Sequence, residues 1–319
     1  MAYIYILITL FLLELLYFKI ADRFNIIDKP NERSSHTSIT LRGGGIIFYL
    51  AVLIYFFSSD FQYPWFFLGL TMMTIISFLD DIFTLSNKLR LLLHFSSVLL
   101  MAYQLQVFAM PWYYLLITFI IIVGVINAYN FMDGINGITV SYSLSVAGLL
   151  ILVNQQLRFI EQDFLIYTVL SLFVFAFFNF RNKAKCFAGD VGSVAVAFIL
   201  LFAIGKLIIQ TENLIYILFL AVYGVDAVWT IVRRLYLKEN IFEAHRSHLY
   251  QFLGNEAKVN KLAISFTYGI IQFIIGYLVI LFSHAELAVQ LIFSGSVLVI
   301  LSTCYLILKS YIINHYVSK

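Results

Sequence analysis

Cysteine, proline and charge are the scarce components of this 319-residue chain. The two cysteines, Cys186 in a basic loop and Cys304 inside a C-terminal apolar run, fall on segments with no evident reason to meet, so the count excludes a disulfide framework and a four-cysteine metal site. Three prolines and the lack of any low-complexity tract argue against linkers and disorder, and no repeat recurs at a fixed period. Charged residues are only 12% of the chain, and no GxxxxGK[ST] phosphate loop occurs. The net charge of +3 says little, because in such a chain the placement of charge matters more than its sum.

What stands in their place is apolar. With 62% hydrophobic residues, 18% aromatics and 32 phenylalanines, the chain carries too much apolar surface for a water-soluble fold. It predicts an all-α polytopic membrane protein forming one domain over residues 1–319. The first twenty residues lack a basic leader region and a small-x-small cleavage site, which favours a retained first helix over a signal peptide. Taking about 20 apolar residues per span, eleven candidates emerge, at roughly 3–20, 43–59, 64–80, 89–108, 112–130, 138–153, 164–180, 191–209, 213–232, 262–283 and 287–308.

Alternating the intervening loops between two sides puts 18 of the 20 basic residues on one side, with only Arg158 and Lys206 on or near the other. The positive-inside rule makes the first side cytoplasmic, with the N-terminus outside and the C-terminus in the cytoplasm. The same alternation gathers the polar chemistry on the cytoplasmic face: loop 21–42, Asp80 and Asp81, residues 127–137, Gly189 with Asp190, and loop 233–261.

Each cluster has a plain reading and a chemical one. The stretch Asn127 to Gly137, with Asn130, Asp133 and Asn136, is either a capped helix-to-helix turn or a set of substrate contacts, since polar groups at membrane depth are costly. Asp80 and Asp81 repel each other, so in an apolar setting they call for a cation or a shared proton. Lys88 and Arg90 follow closely, where they can bind a phosphate or balance the aspartates. Asp190, between Gly189 and Val191-Gly192-Ser193, is an N-cap or an Mg²⁺ ligand beside a phosphate. Gly43 to Gly45 after Arg42 favour close packing over ligand approach. If residues 245–248 were helical, His245 and His248 would share a face and contact a diphosphate together, with Arg246 adding a guanidinium fork; a zinc site lacks a third ligand nearby. Asp226 either lines the site or is locked to a basic partner.

In this order, the motifs Asp28-x-Pro30-Asn31-x-Arg33 with His36, Arg42-Gly43-Gly44, Asp80-Asp81, Asn127-Ala128-x-Asn130-x-x-Asp133-Gly134, Gly189-Asp190-x-Gly192-Ser193 and His245-Arg246-x-His248 resemble the polyprenyl-phosphate N-acetylhexosamine-1-phosphate transferase family. The resemblance runs from Asp28 to about Gln251. It implies an Mg²⁺-dependent transfer of a sugar 1-phosphate from a UDP-N-acetylhexosamine to undecaprenyl phosphate in the inner (cytoplasmic) membrane, releasing UMP and initiating a surface glycan such as O-antigen of lipopolysaccharide. It implies that Asp190 holds Mg²⁺, that Asp80 deprotonates or positions the lipid phosphate beside Asp81, and that Asn130 and Asp133 contact the nucleotide-sugar. Phe187 would stack on uracil, and His245 and His248 would contact the diphosphate. A homodimer is one assembly open to such a protein, and no nucleic-acid partner is expected. Two departures stand out: many relatives carry aspartate where this chain has Asn136, and the segment Asn179 to Cys186 is one residue longer than usual. A secondary transporter is the alternative from another class, although transporters gather polar residues near the bilayer midplane.

Overall fold

The structure is a computed structural model that describes residues 2–29, 39–83, 85–240 and 245–317. Apolar runs in lipid must satisfy their backbone hydrogen bonds internally, and the described residues do so as helices. α1 (Ala2–Arg23) leads into a small antiparallel ribbon, β1 (Ile27–Asp28) and β2 (Thr40–Leu41), which pairs Ile27 with Leu41 and Asp28 with Thr40. Then come α2 (Ile46–Ser58), α3 (Pro64–Phe83), α4 (Asn87–Gln104), α5 (Trp112–Met132), α6 (Ile138–Leu157), α7 (Gln162–Asn179) and α8 (Gly189–Thr211). A tighter turn, Leu214–Leu220, runs into α9 (Ala221–Tyr236), followed by the single turn α10 (Leu249–Gln251), α11 (Lys261–Phe282) and α12 (Leu287–Ile312). Two of the three prolines start helices, Pro64 within the first turn of α3 and Pro111 capping α5, where a missing N–H costs nothing. The third, Pro30, lies outside the described residues with Asn31, Arg33 and His36.

All eleven expected spans fall on helix, but among the described residues only nine segments are long and apolar enough to cross a membrane. The two exceptions have separate causes. α2 has 13 residues, or about 20 Å at 1.5 Å per residue, short of the roughly 30 Å hydrocarbon core. It is shortened because Gly43 to Gly45 leave the helix for a turn. α4 carries Lys88, Arg90 and His94 in its first half and is too polar to qualify.

α8 is the hub, packed against α2, α3, α5 and α6 and buried over most of its length. Its first turn meets the start of α2 backbone to backbone: a Cβ on Gly45 would lie 2.3 Å from the Gly192 Cα, so both positions require glycine. Deeper in, Phe66 of α3 stacks on Phe202 of α8 with ring centres 4.1 Å apart. Tyr142 of α6 stacks on Tyr223 of α9 at 3.6 Å, with Tyr129 of α5 edge-on. α12 is peripheral, with almost all of its apolar surface exposed. This packing brings the end of α3, the end of α5, the start of α8 and the turn after β2 together at one end of the bundle.

Candidate functional site

The centre of that end is a carboxylate at the N-terminus of α8. Adjacent residues on a helix project about 100° apart, so Asp80 and Asp81 face different partners. Asp81 points inward with its side chain fully buried, and its oxygens accept from the backbone N–H groups of Asp190 (3.4 Å) and Val191 (3.3 Å). Helix N-termini favour anions in this way. Arg42 completes the arrangement, with its guanidinium 2.7 Å from Asp81 and 3.5 Å from Asp190. Burial opposes the charge on Arg42, but Asp81, Asp190 and Asp28 together hold its pKa above the ordinary value. Asp80 turns the other way, pairing with Arg90 at 2.8 Å and accepting from the Leu85 N–H at 2.9 Å. Lys88 is exposed one residue into α4.

The position of Arg42 follows from the ribbon. Beyond β2, Leu41 bridges to Cys186, Phe187 donates its N–H to the Leu41 carbonyl at 2.8 Å, and Gly44 donates to the Phe187 carbonyl at 2.9 Å. Tyr17 of α1 donates its hydroxyl to the Arg42 carbonyl at 2.5 Å. Arg42 and Phe187 are thus fixed on neighbouring strands of chain that converge on Asp190.

From α5, Asn130 donates to the Ser193 hydroxyl of α8 at 3.3 Å, and Asp133 accepts from the Thr139 hydroxyl at 2.6 Å. Burial pushes the Asp133 carboxyl up to about 6, with Thr139 pulling it back and Asp190 adding repulsion. Asn127 faces outward, its amide bonded to the Val123 carbonyl one turn back. Asn136 donates its side-chain N–H₂ to the carbonyls of Arg181 (2.8 Å) and Asn182 (3.2 Å), while Ser265 donates to its backbone carbonyl. It lines a cleft of about 260 Å³ with Arg181, Asn182, Lys258 and Lys261. Asn179, the last residue of α7, is buried and structural, accepting from the Gly137 N–H and donating to the Cys186 carbonyl.

An aspartate at 136 would aim an acceptor-only carboxylate at two carbonyl oxygens, so the amide is the group that fits the 181–182 backbone. Asn136→Asp is therefore expected to destabilise the protein by about 0.5–1.5 kcal/mol, the range for losing a hydrogen bond whose acceptors water can still reach, read as a lower melting temperature of the purified protein.

The histidine pair differs from its expectation. Residues 245–247 are not helical, and His248 instead caps α10. His248 is buried, its Nδ1 lying 3.1 Å from an Asp226 carboxylate oxygen, so the open question over Asp226 resolves to a basic partner. His245 is only half-buried, 5.1 Å ring to ring from His248 and bonded to the Ser247 hydroxyl. Burial, then His248 and Arg234, push His245 down to about 4, so at neutral pH it offers an N–H rather than a charge. Arg246 pairs with Glu256 at 3.1 Å. Tyr250 ties this loop to α5 by donating to the Phe131 carbonyl at 2.9 Å.

Among the described residues no group of three His, Cys, Asp or Glu side chains could by itself hold a metal ion. A magnesium ion commonly takes only one or two carboxylates and completes its shell with water and substrate phosphates. Asp190, with its side chain about one third exposed beside a fixed cation, fits that donor set.

A family model described as glycosyl transferase family 4 matches residues 63–208. A probable undecaprenyl-phosphate N-acetylglucosaminyl 1-phosphate transferase of Bacillus subtilis is 24% identical over 313 residues, covering 91% of this chain and 86% of that protein. Proteins called undecaprenyl-phosphate alpha-N-acetylglucosaminyl 1-phosphate transferase are 27% identical over 268 residues in Thermotoga maritima (77% of this chain, 80% of that protein) and 26% identical over 278 residues in Escherichia coli K12 (77% and 75%).

Proposed function

We propose, from the premise that this chain belongs to the polyprenyl-phosphate N-acetylhexosamine-1-phosphate transferase family, that it transfers an N-acetylhexosamine 1-phosphate to undecaprenyl phosphate. The donor is a UDP-sugar, the second product is UMP, and the reaction is the first step of a surface glycan. The site faces the cytoplasm and the N-terminus lies outside, an arrangement in which the short α2 and the more polar α4 join the nine longer apolar segments in the membrane. One observation carries the reading: Arg42, Asp81, Asp190, Asn130 and Asp133, drawn from separate parts of the chain, converge at the start of α8.

The chemistry asks two anions to meet. An oxygen of the lipid phosphate attacks the sugar-bearing phosphorus, and the bond from that phosphorus to the UMP oxygen breaks. When bound at Asp190, Mg²⁺ would neutralise the diphosphate and the charge that develops on the leaving oxygen. The protein supplies the rest. Arg42 offers a fixed guanidinium beside Asp190, and the α8 N-terminus adds its dipole. Asp81 holds that cation and the first turn in register. Asp80 holds Arg90, which with Lys88 presents positive charge to the acceptor phosphate, so its pairing supports a positioning role. Asn130 and Asp133 orient the sugar nucleotide, and Phe187, whose backbone is fixed beside Arg42, stacks on the uracil.

Polar groups gathered at one end of the bundle, rather than at mid-depth in broken helices, favour this reading over a transporter. The test is incubation of purified protein with a panel of UDP-sugars and undecaprenyl phosphate, followed by mass analysis of the lipid. A product heavier by one N-acetylhexosamine phosphate is the expected result. Unchanged lipid with every sugar would exclude the reading.

A further inference from the structure

We propose that Asp226 is a positioning residue that holds His248 so that its Nε2 edge is the one offered to a phosphate oxygen of the substrate. The inference rests on the transferase reading above. Asp226, in α9, is almost fully buried. One carboxylate oxygen lies 3.1 Å from His248 Nδ1 and 3.1 Å from the Leu249 N–H, and the other accepts from the Tyr268 hydroxyl at 2.8 Å. A carboxylate held by this many donors only accepts, so the Nδ1 position must carry a proton. Nε2 is the edge left over, and it donates to a phosphate oxygen when it too carries a proton, the charge of that doubly protonated ring being balanced by the Asp226 carboxylate.

Nε2 is buried and has no hydrogen-bond partner among the described residues. Buried polar atoms are rarely left unsatisfied, and an exception calls for an explanation. The surroundings point to a ligand at this place. The ring lies beside Phe131, with ring centres 6.2 Å apart, in the same stretch as Asn130 and Asp133. The half-buried ring of His245 also lies beside it, with its own hydrogen bond going to Ser247.

The backbone around His248 is held in place by α9 and α12. Lys309, a buried cation on the otherwise peripheral α12, donates to the Ser247 carbonyl at 2.6 Å and also contacts Thr230 and Tyr305. Thr230 donates to Asp226 at 3.3 Å. Ser247, His248 and Leu249 are therefore each fixed by α9 or α12. With a carboxylate on one nitrogen and a phosphate oxygen on the other, His248 bridges two anions through two N–H groups. A donor aimed at charge that grows in the transition state acts on kcat more than on KM.

The test is a double-mutant cycle of Asp226→Asn and His248→Gln in the purified full-length enzyme, with kcat and both KM values from UMP release and a melting temperature for each protein. The asparagine removes the charge that balances the doubly protonated ring and can present its N–H₂ to Nδ1, so that any N–H at Nε2 then comes from an uncharged ring, a weaker donor to phosphate. Asp226→Asn is expected to lower kcat by about 10²-fold, in the range for removing a group that orients a working histidine, with either KM changed by less than about threefold. His248→Gln should lose a similar factor, and the double variant no more than the worse single. If Asp226→Asn does not fold, Tyr268→Phe, which removes one bond to Asp226 and none to His248, should lower kcat by a smaller factor in the wild-type background and not at all beside His248→Gln. Losses that multiply in the double variant, or an Asp226→Asn enzyme with wild-type kcat, would overturn the inference. Wild-type enzyme that forms no UMP with any UDP-sugar would instead defeat the transferase reading itself.

Discussion

Asp190→Asn is expected to lose about 10³-fold in turnover while inserting in the membrane and melting like the unaltered protein. The fold holds Asp190 mainly through its backbone, whose N–H is accepted by Asp81 and whose residue opens α8. Its side chain is about one third exposed and only 3.5 Å from Arg42 at the nearest, so a neutral amide of the same shape leaves the packing intact. What disappears is the negative charge that would hold Mg²⁺ against two anionic substrates. A bound metal contributes several kcal/mol of transition-state charge stabilisation, and about 4 kcal/mol corresponds to about 10³ in rate. A readout apart from activity accompanies this. Mg²⁺ with UDP should raise the melting temperature of the wild-type protein and leave that of the variant unmoved. Asp81→Asn should behave differently, because Asp81 anchors both the first turn of α8 and Arg42, so melting temperature and activity should fall together.

Gly45→Val is expected to prevent recovery of folded protein. A Cβ at Gly45 would lie 2.3 Å from the Gly192 Cα and 3.0 Å from the Ala188 carbonyl oxygen. These are backbone atoms, so no side-chain rotation relieves the clash, and α2 would have to move off α8. Ordinary overpacking costs about 1–3 kcal/mol, and a backbone clash costs more, a large share of the roughly 5–15 kcal/mol that stabilises a typical domain. The displacement would also pull Arg42, three residues upstream, away from Asp81 and Asp190. Gly124→Ala is the matched control, since a Cβ there meets nothing within 4 Å. Monodisperse protein in detergent should be recovered in normal yield from Gly124→Ala and not from Gly45→Val. A normal melting curve for the latter would contradict the packing described here.

The helices were largely legible in the sequence because the length of an apolar run is a local property. The limit appeared where local and tertiary demands compete, as at Gly43 to Gly45, which read as the start of a span and form a turn so that α2 can touch α8. The aspartate pair was visible, but its division of labour was not: the helical offset that sends Asp81 to α8 and Asp80 to Arg90 has meaning only once α8 and α4 are in place. Arg42 was read chiefly as a neighbour of packing glycines, and its role as the bridge between Asp81 and Asp190 depends on residues far along the chain. The only signal available was a cation beside three glycines on the basic face. For His245 and His248 the reading assumed a helix that the chain does not form, whereas Asp226 was singled out without a partner that sequence spacing could supply. Glu14 and Lys309 gave no signal at all. Both are buried charged-type residues on apolar helices, Glu14 accepting from the Cys186 thiol at 3.6 Å and Lys309 donating to the carbonyl of Ser247. Only tertiary contacts reveal why they are tolerated.

The central claim is that the groups converging at the start of α8 join a UDP-sugar to a lipid phosphate with help from Mg²⁺. Its most direct test is UMP release by the purified protein from UDP-N-acetylglucosamine, measured with each of undecaprenyl phosphate and Mg²⁺ present or withheld. UMP formed only when both are present, and lost in Asp190→Asn, is the expected result. UMP formed equally without the lipid or without Mg²⁺, or undiminished in Asp190→Asn, would contradict the account.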